Sequence, residues 1–269
     1  METADFLDTL EREGRLLAAA AGEAGTGARV PSCPAWRVRD LLRHTGVVHR
    51  WAAAFVADAY PSPRPMGDPP DPDGAALVDW YRDSHRSLVR TLAQAPGDVA
   101  CWTFHPAPLP SPSPLAFWTR RQAHETAVHR FDAETARGGT PTPIAAEFAV
   151  DGIDELLRGF HARARSRVRT ARPRLLRIRA EGAKDVDSAG PGGDALWTVR
   201  LSDGPPVTER NRPTGAAPDA GTDAGTHADA ELAGPADRMY LALWNRVPVP
   251  RVTGDASLAA LWRETSAIV

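Results

Sequence analysis

The sequence predicts a segregated α+β chain, a four-helix bundle followed by a smaller α+β domain. Four long stretches with helical apolar spacing occupy its first half, and after Arg172 the apolar period shortens to that of strands. At 269 residues the chain also has a natural length for about two domains.

The first helix is expected over residues 4–21, where Phe6, Leu10 and Leu17 fall near one face and Thr3 is placed to cap. The second, over 35–59, is the clearest: Val38, Leu41, Leu42, Thr45, Val48 and Ala52 keep the i, i+3, i+4 rule, and Phe55, Val56 and Ala59 continue it. A third is expected from Asp73 to Ala95, with Leu77, Trp80, Tyr81, Leu88 and Leu92 on its apolar side. The fourth runs from Pro114 to Ala136.

Between them lie two proline clusters, Pro61–Gly74 with six prolines and Pro106–Pro114 with five. Proline lacks the backbone N–H and fixes φ, so neither cluster reads as helix or central strand. Four helices with one or two long connections suggest a bundle. A fifth amphipathic segment, 143–161, completes a first domain placed at residues 1–162.

Strands are expected at 174–180, 195–201, 207–212 and 226–232, and short helices at 236–246 and 257–265, giving a second domain at 173–269. Asp203–Thr226, rich in Gly, Pro, Asp and Thr, is expected to hold a mobile loop.

Composition narrows the function. Of 32 lysines and arginines only Lys184 is a lysine, but 34 acidic residues bring the net charge to −2, which argues against a nucleic-acid surface. The arginine excess, with abundant Ala, Gly and Pro, reads as the composition of a GC-rich genome. The longest apolar run, Trp51–Ala57, is far short of the ~20 residues of a membrane span. The N-terminal METADFLDTLE has neither the basic nor the apolar region of a secretion signal, so a cytoplasmic location is expected. Two cysteines are too few for a disulfide framework, and Cys33, in a Pro31–Pro34 turn, is expected to be an inert thiol.

Chemistry concentrates on the fourth helix. Leu115, Trp118, Gln122, Glu125, His129 and Asp132 form one stripe, apolar at its start and polar at its end. Burying those polar groups is costly unless something pairs with them, and a metal ion is one such partner. Glu125 and His129 are one turn apart, so a carboxylate and an imidazole can reach one ion. Asp132, a turn beyond, is placed to accept the other ring N–H of His129. Phe117, Val128 and Phe131 form a competing apolar face that would leave Glu125 and His129 in solvent. A zinc-protease HExxH is excluded because position 128 is valine. For a third ligand the second helix offers His44 and His49. On the helical wheel His49 sits near the centre of the apolar stripe and His44 at its edge, and either is also readable as a core histidine.

The stretch VPSCPAWRVRDLLRHTGVVHRW (Val30–Trp51), followed by RRQAHETAVHRFDAE (Arg120–Glu134), resembles the mycothiol-dependent maleylpyruvate isomerase family. Its N-terminal part belongs to the wider DinB-like superfamily of metal-binding four-helix bundles. AELAGPADRMYLALWNR and VTGDASLAALW are similar to that family's small C-terminal α+β domain. The resemblance implies a divalent ion, usually Zn2+, held by His44, Glu125 and His129, with His49 in the core or behind the ligands. It also implies mycothiol as the low-molecular-weight thiol cosubstrate.

Three protein ligands leave zinc an open position suited to a thiolate. The thiolate would attack a small electrophile, either to isomerise it or to transfer sulfur, and a role in secondary metabolism fits either outcome. Arg246 resembles an arginine the family turns toward the site, where it would clamp a substrate carboxylate; a cation near a helix C-terminus is the plainer reading. Arg121, one turn before Glu125, is placed either to hold that carboxylate or to face solvent. The competing classes are a non-catalytic DinB-like metal-binding or regulatory module, against which the intact triad argues, and a metal-dependent hydrolase, which lacks an identifiable general base.

Overall fold

A computed structural model describes residues 1–104, 112–182, 193–211 and 228–268. The chain forms two compact units, Met1–Thr142 and Pro143–Val269. Among the described residues there are seven α-helices and one five-stranded sheet, an α+β fold.

The first unit is built from α1 (Thr3–Ala24), α2 (Val38–Ala57), α3 (Gly74–Gln94) and α4 (Pro114–Arg137). Helix α1 starts as Asp5 Oδ2 accepts the Glu2 N–H at 2.7 Å, and α2 repeats the device with Asp40 and the Arg37 N–H at 2.8 Å. Helix α4 starts at Pro114, behind Ser113 whose Oγ accepts the Ala116 N–H. Leu17, Ala21, Val30, Leu41, Leu42 and Leu77 anchor a shared core.

Helix α4 packs against α1 and α2 and is buried almost all round. Both of its stripes therefore lie inside: Phe117, Val128 and Phe131 are buried, and so are Gln122, His129 and Asp132. The two faces read as rivals from the sequence are both interior, because a central helix has no solvent side.

In the second unit, α5 (Ala146–Asp154) runs into a π-helical turn, Glu155–Phe160, closed by the His161 N–H on the Leu156 carbonyl at 3.0 Å. The sheet has the order β3-β2-β1-β4-β5, from β1 (Arg174–Glu181), β2 (Ala195–Leu201), β3 (Val207–Asn211), β4 (Ala230–Pro235) and β5 (Arg251–Gly254). β1 and β4 are parallel and the other pairs antiparallel. Alternation puts Leu176, Ile178 and Ala180 of β1 and Trp197 and Val199 of β2 in the core, under α6 (Ala236–Leu243) and α7 (Ala256–Thr265).

Two sequence expectations shift here, and one strand was not anticipated. The strand anticipated at 226–232 lies at Ala230–Pro235, with residues 226 and 227 outside the described set; Leu232, Ala233 and Gly234 are buried in succession, the small Gly234 closely against Pro250, so the strand shows no alternation. Strand β5 is the unanticipated one: all four of its residues are exposed, and the single Val252 makes no apolar pattern. Helix α6 stops at Leu243, not Arg246. Asn245 adopts φ +61°, and the Arg246 N–H returns to the Leu241 carbonyl at 2.8 Å, a left-handed stop that asparagine tolerates. Residues 106–111 and 212–226 of the anticipated loops also lie outside the described set. Among the described residues no helix is long and apolar enough to cross a membrane.

Candidate metal centre

One ligand-capable atom from each of His44, Glu125 and His129 lies within 4.8 Å of the others. Glu125 Oε1 is 3.2 Å from His44 Nε2 and 3.2 Å from His129 Nε2. A tetrahedral zinc with bonds of about 2.0–2.1 Å has donor–donor edges of about 3.3 Å, so these spacings fit a metal corner as well as a hydrogen-bonded cluster. The His44 side chain is 35 % exposed, Glu125 19 % and His129 8 %, so the cluster opens to solvent on the His44 side.

Two of the three residues are held from behind by hydrogen bonds. Arg121 Nη2 donates to Glu125 Oε2 at 3.0 Å, leaving Oε1 to face the two histidines. Asp132 Oδ2 lies 2.9 Å from His129 Nδ1, placed to accept that N–H; with a cation bound, the Nε2 lone pair would then be left to face it. The Trp36 ring lies 5.0 Å from the His44 ring and stacks on His129 at 5.9 Å.

The electrostatics agree with the geometry. Burial pushes Glu125 upward, but hydrogen bonds from His129 and His44 and the charge of Arg121 outweigh it and hold the carboxyl well below its usual range. Burial opposes charge on His129, while bonds to Asp132 and Glu125 overcome it and raise its pKa. The cluster thus sets one ionised carboxylate between two imidazoles.

His49 is elsewhere. It is fully buried, with Nε2 2.9 Å from Thr126 Oγ1 and its ring 5.6 Å from those of Tyr81 and His85. Burial, then the neighbouring His85, keeps its pKa well below the ordinary value, as suits a neutral core imidazole. Arg246 lies in the second unit, just past the end of α6, where its Nη1 donates to the Trp244 carbonyl at 2.8 Å.

Two contributors escape spacing arguments because they sit on the α1–α2 loop: Trp36, and Ser32, whose Oγ donates to Asp132 Oδ1 at 2.5 Å. Cys33 Sγ lies 4.0 Å from Asp132 Oδ2. That loop is closed by the Cys33 N–H on the Val30 carbonyl and the Trp36 N–H on the Cys33 carbonyl. The signal for them was the VPSCPAW motif itself, whose residues have no helical period.

Residues 7–134 match the family described as the mycothiol maleylpyruvate isomerase N-terminal domain, and residues 147–261 match its C-terminal domain. No curated protein and no solved structure matches the chain.

Proposed function

The chain belongs to the mycothiol maleylpyruvate isomerase family, and on that premise we propose that it is a divalent-metal enzyme, zinc being the preferred ion, that activates mycothiol as a thiolate. The observation that carries this reading is the convergence of His44, Glu125 and His129 on one point, with a solvent opening beside them. A divalent cation held there would keep an incoming thiol deprotonated near neutral pH.

The protein's own groups do the rest. Arg121 fixes which Glu125 oxygen faces inward, Asp132 fixes the His129 tautomer, and Trp36 walls the histidines against movement. The exposed edge of His44 marks where a thiol would enter. The sulfur would then add to an electrophilic carbon of a small substrate. Isomerisation follows if the adduct rotates and the C–S bond breaks again; S-transfer follows if the new C–S bond is kept. Arg246 is proposed, by resemblance alone, as a carboxylate clamp for that substrate.

Elemental analysis of the purified chain tests the metal step. We expect about one equivalent of divalent metal per chain, falling to below about a tenth in His44→Ala. Metal content of a few tenths of an equivalent or less, indifferent to that substitution, overturns the reading. Turnover of maleylpyruvate with and without mycothiol tests the thiol step; equal rates would point to metal-dependent hydrolysis instead.

A further inference from the structure

A cavity lies within the first unit, between α2, the proline-rich segment after it, and α3. Its volume is about 310 Å³, at the lower end of small-molecule sites and large enough for one or two rings. Aromatic side chains dominate the walls: Trp51 and Phe55 from α2, Tyr60 at the start of the segment, and Trp80 from α3.

The covering segment is pinned along its length. Arg43 donates to the carbonyls of Pro70, Asp71 and Pro72 at 3.1–3.2 Å. Trp51 Nε1 holds the Arg64 carbonyl at 2.8 Å, and the Trp102 N–H holds the Tyr60 carbonyl at 2.7 Å. Six prolines between residues 61 and 74 stiffen what those bonds fix. The space is therefore a built feature and not a gap beneath a slack loop.

Two guanidiniums face this space. Arg50 lies 4.9 Å from the centre of the Trp80 ring, with Nε on Ser84 Oγ at 2.7 Å; Arg64 lies 3.5 Å over Tyr60. Neither has a carboxylate partner among the described residues, although many arginines of this chain do. Each is ordered by a ring face, which leaves N–H edges free for a planar anion. Asp68 is the acidic group on the wall. Two cations and one anion leave a single net positive charge, which suits a monoanion and disfavours a dianion.

We propose that this cavity is a binding site for a planar aromatic monocarboxylate, its ring among Trp51, Phe55 and Trp80 and its carboxylate on Arg50 and Arg64. Val47 and Trp51 stand one and two turns from His44 on the same side of α2. The proposal rests on the cavity and not on the metal, so it stands or falls independently of the thiolate reading.

The test is calorimetric titration of 2-naphthoate into the full chain, as purified and after chelation. The expected Kd is about 0.1 mM in both forms, with the neutral 2-naphthylmethanol and the dianionic 2,6-naphthalenedicarboxylate each at least about tenfold weaker. Ala54→Phe, which fills the space from α2, and Arg64→Met, on the exposed segment, should each weaken 2-naphthoate about tenfold. Absence of binding at about 5 mM, equal affinity for the neutral alcohol, or an unchanged Kd in Arg64→Met overturns the proposal.

Discussion

Ser32 stands two hydrogen bonds from His129, a proposed metal donor. Its hydroxyl holds one oxygen of Asp132 while the other holds His129. Losing it frees the carboxylate to rotate and loosens the imidazole it aims. Groups behind metal ligands typically contribute about 10–100-fold in affinity, and Ser32 stands one step further back. Ser32→Ala should therefore weaken zinc binding about tenfold in a chelator competition, and Ser32→Thr should restore it. An unchanged zinc Kd in Ser32→Ala would show that Asp132 is held well enough by its surroundings.

His161 gives a pH dependence of a different origin. Burial lowers its pKa from 6.5 to about 4, and its ring packs 4.7 Å from Trp262. The unfolded chain therefore takes up a proton that the folded one refuses. Stability is full above about pH 6.5 and falls as the pH drops through about 4, with the loss at pH 5 being about 2 kcal/mol. Urea denaturation at pH 7 and pH 5 should show a smaller acid loss in His161→Gln than in the parent chain, a comparison that cancels the other buried histidines.

At the scale of elements, α4 carries two of the three proposed metal donors, Glu125 and His129, and is fastened to α1 by a buried ion network. Arg130 is fully buried, with Nε on Glu13 Oε2 at 2.7 Å and Nη1 on Glu134 Oε2 at 2.7 Å and on the Thr142 carbonyl at 2.6 Å. Its Nη2 already lacks a partner among the described residues. Removing one carboxylate leaves the guanidinium under-compensated in the interior, the costly way to break a buried pair. Glu13→Ala should lower stability by about 3 kcal/mol in chemical denaturation. Glu13→Gln, which keeps an acceptor, should cost less.

For the molecule as a whole, the first three bundle helices were legible because each carries a continuous apolar period, and the strand pair β1–β2 because alternation survives where one face is covered. Legibility failed where burial is two-sided or absent. Helix α4 shows two stripes because it is central, and β4 hides its alternation because the small Ala233 and Gly234 are buried in succession, Gly234 closely against Pro250, while β5 is exposed along its whole length. The end of α6 turned on the left-handed φ of Asn245, a single-residue event that no period announces. In the centre, Glu125, His129 and Asp132 were found together because a helix converts spacing into direction. His44 needed the resemblance, since the wheel preferred the more central His49. Ser32 and Trp36 reach the same place from a loop, where spacing carries no direction.

All three donors, and every group seen to hold them, lie between residues 32 and 132 and so within the first unit. Synthesis is vectorial, at about 5–20 residues per second, so the rest of the chain follows roughly ten seconds later. During that interval a nascent protein already carries the complete donor set. If the proposed centre binds zinc, acquisition can thus precede synthesis of Pro143–Val269, and a ribosome-arrested chain exposing Met1–Thr142 should already retain zinc, whereas its His44→Ala counterpart should not.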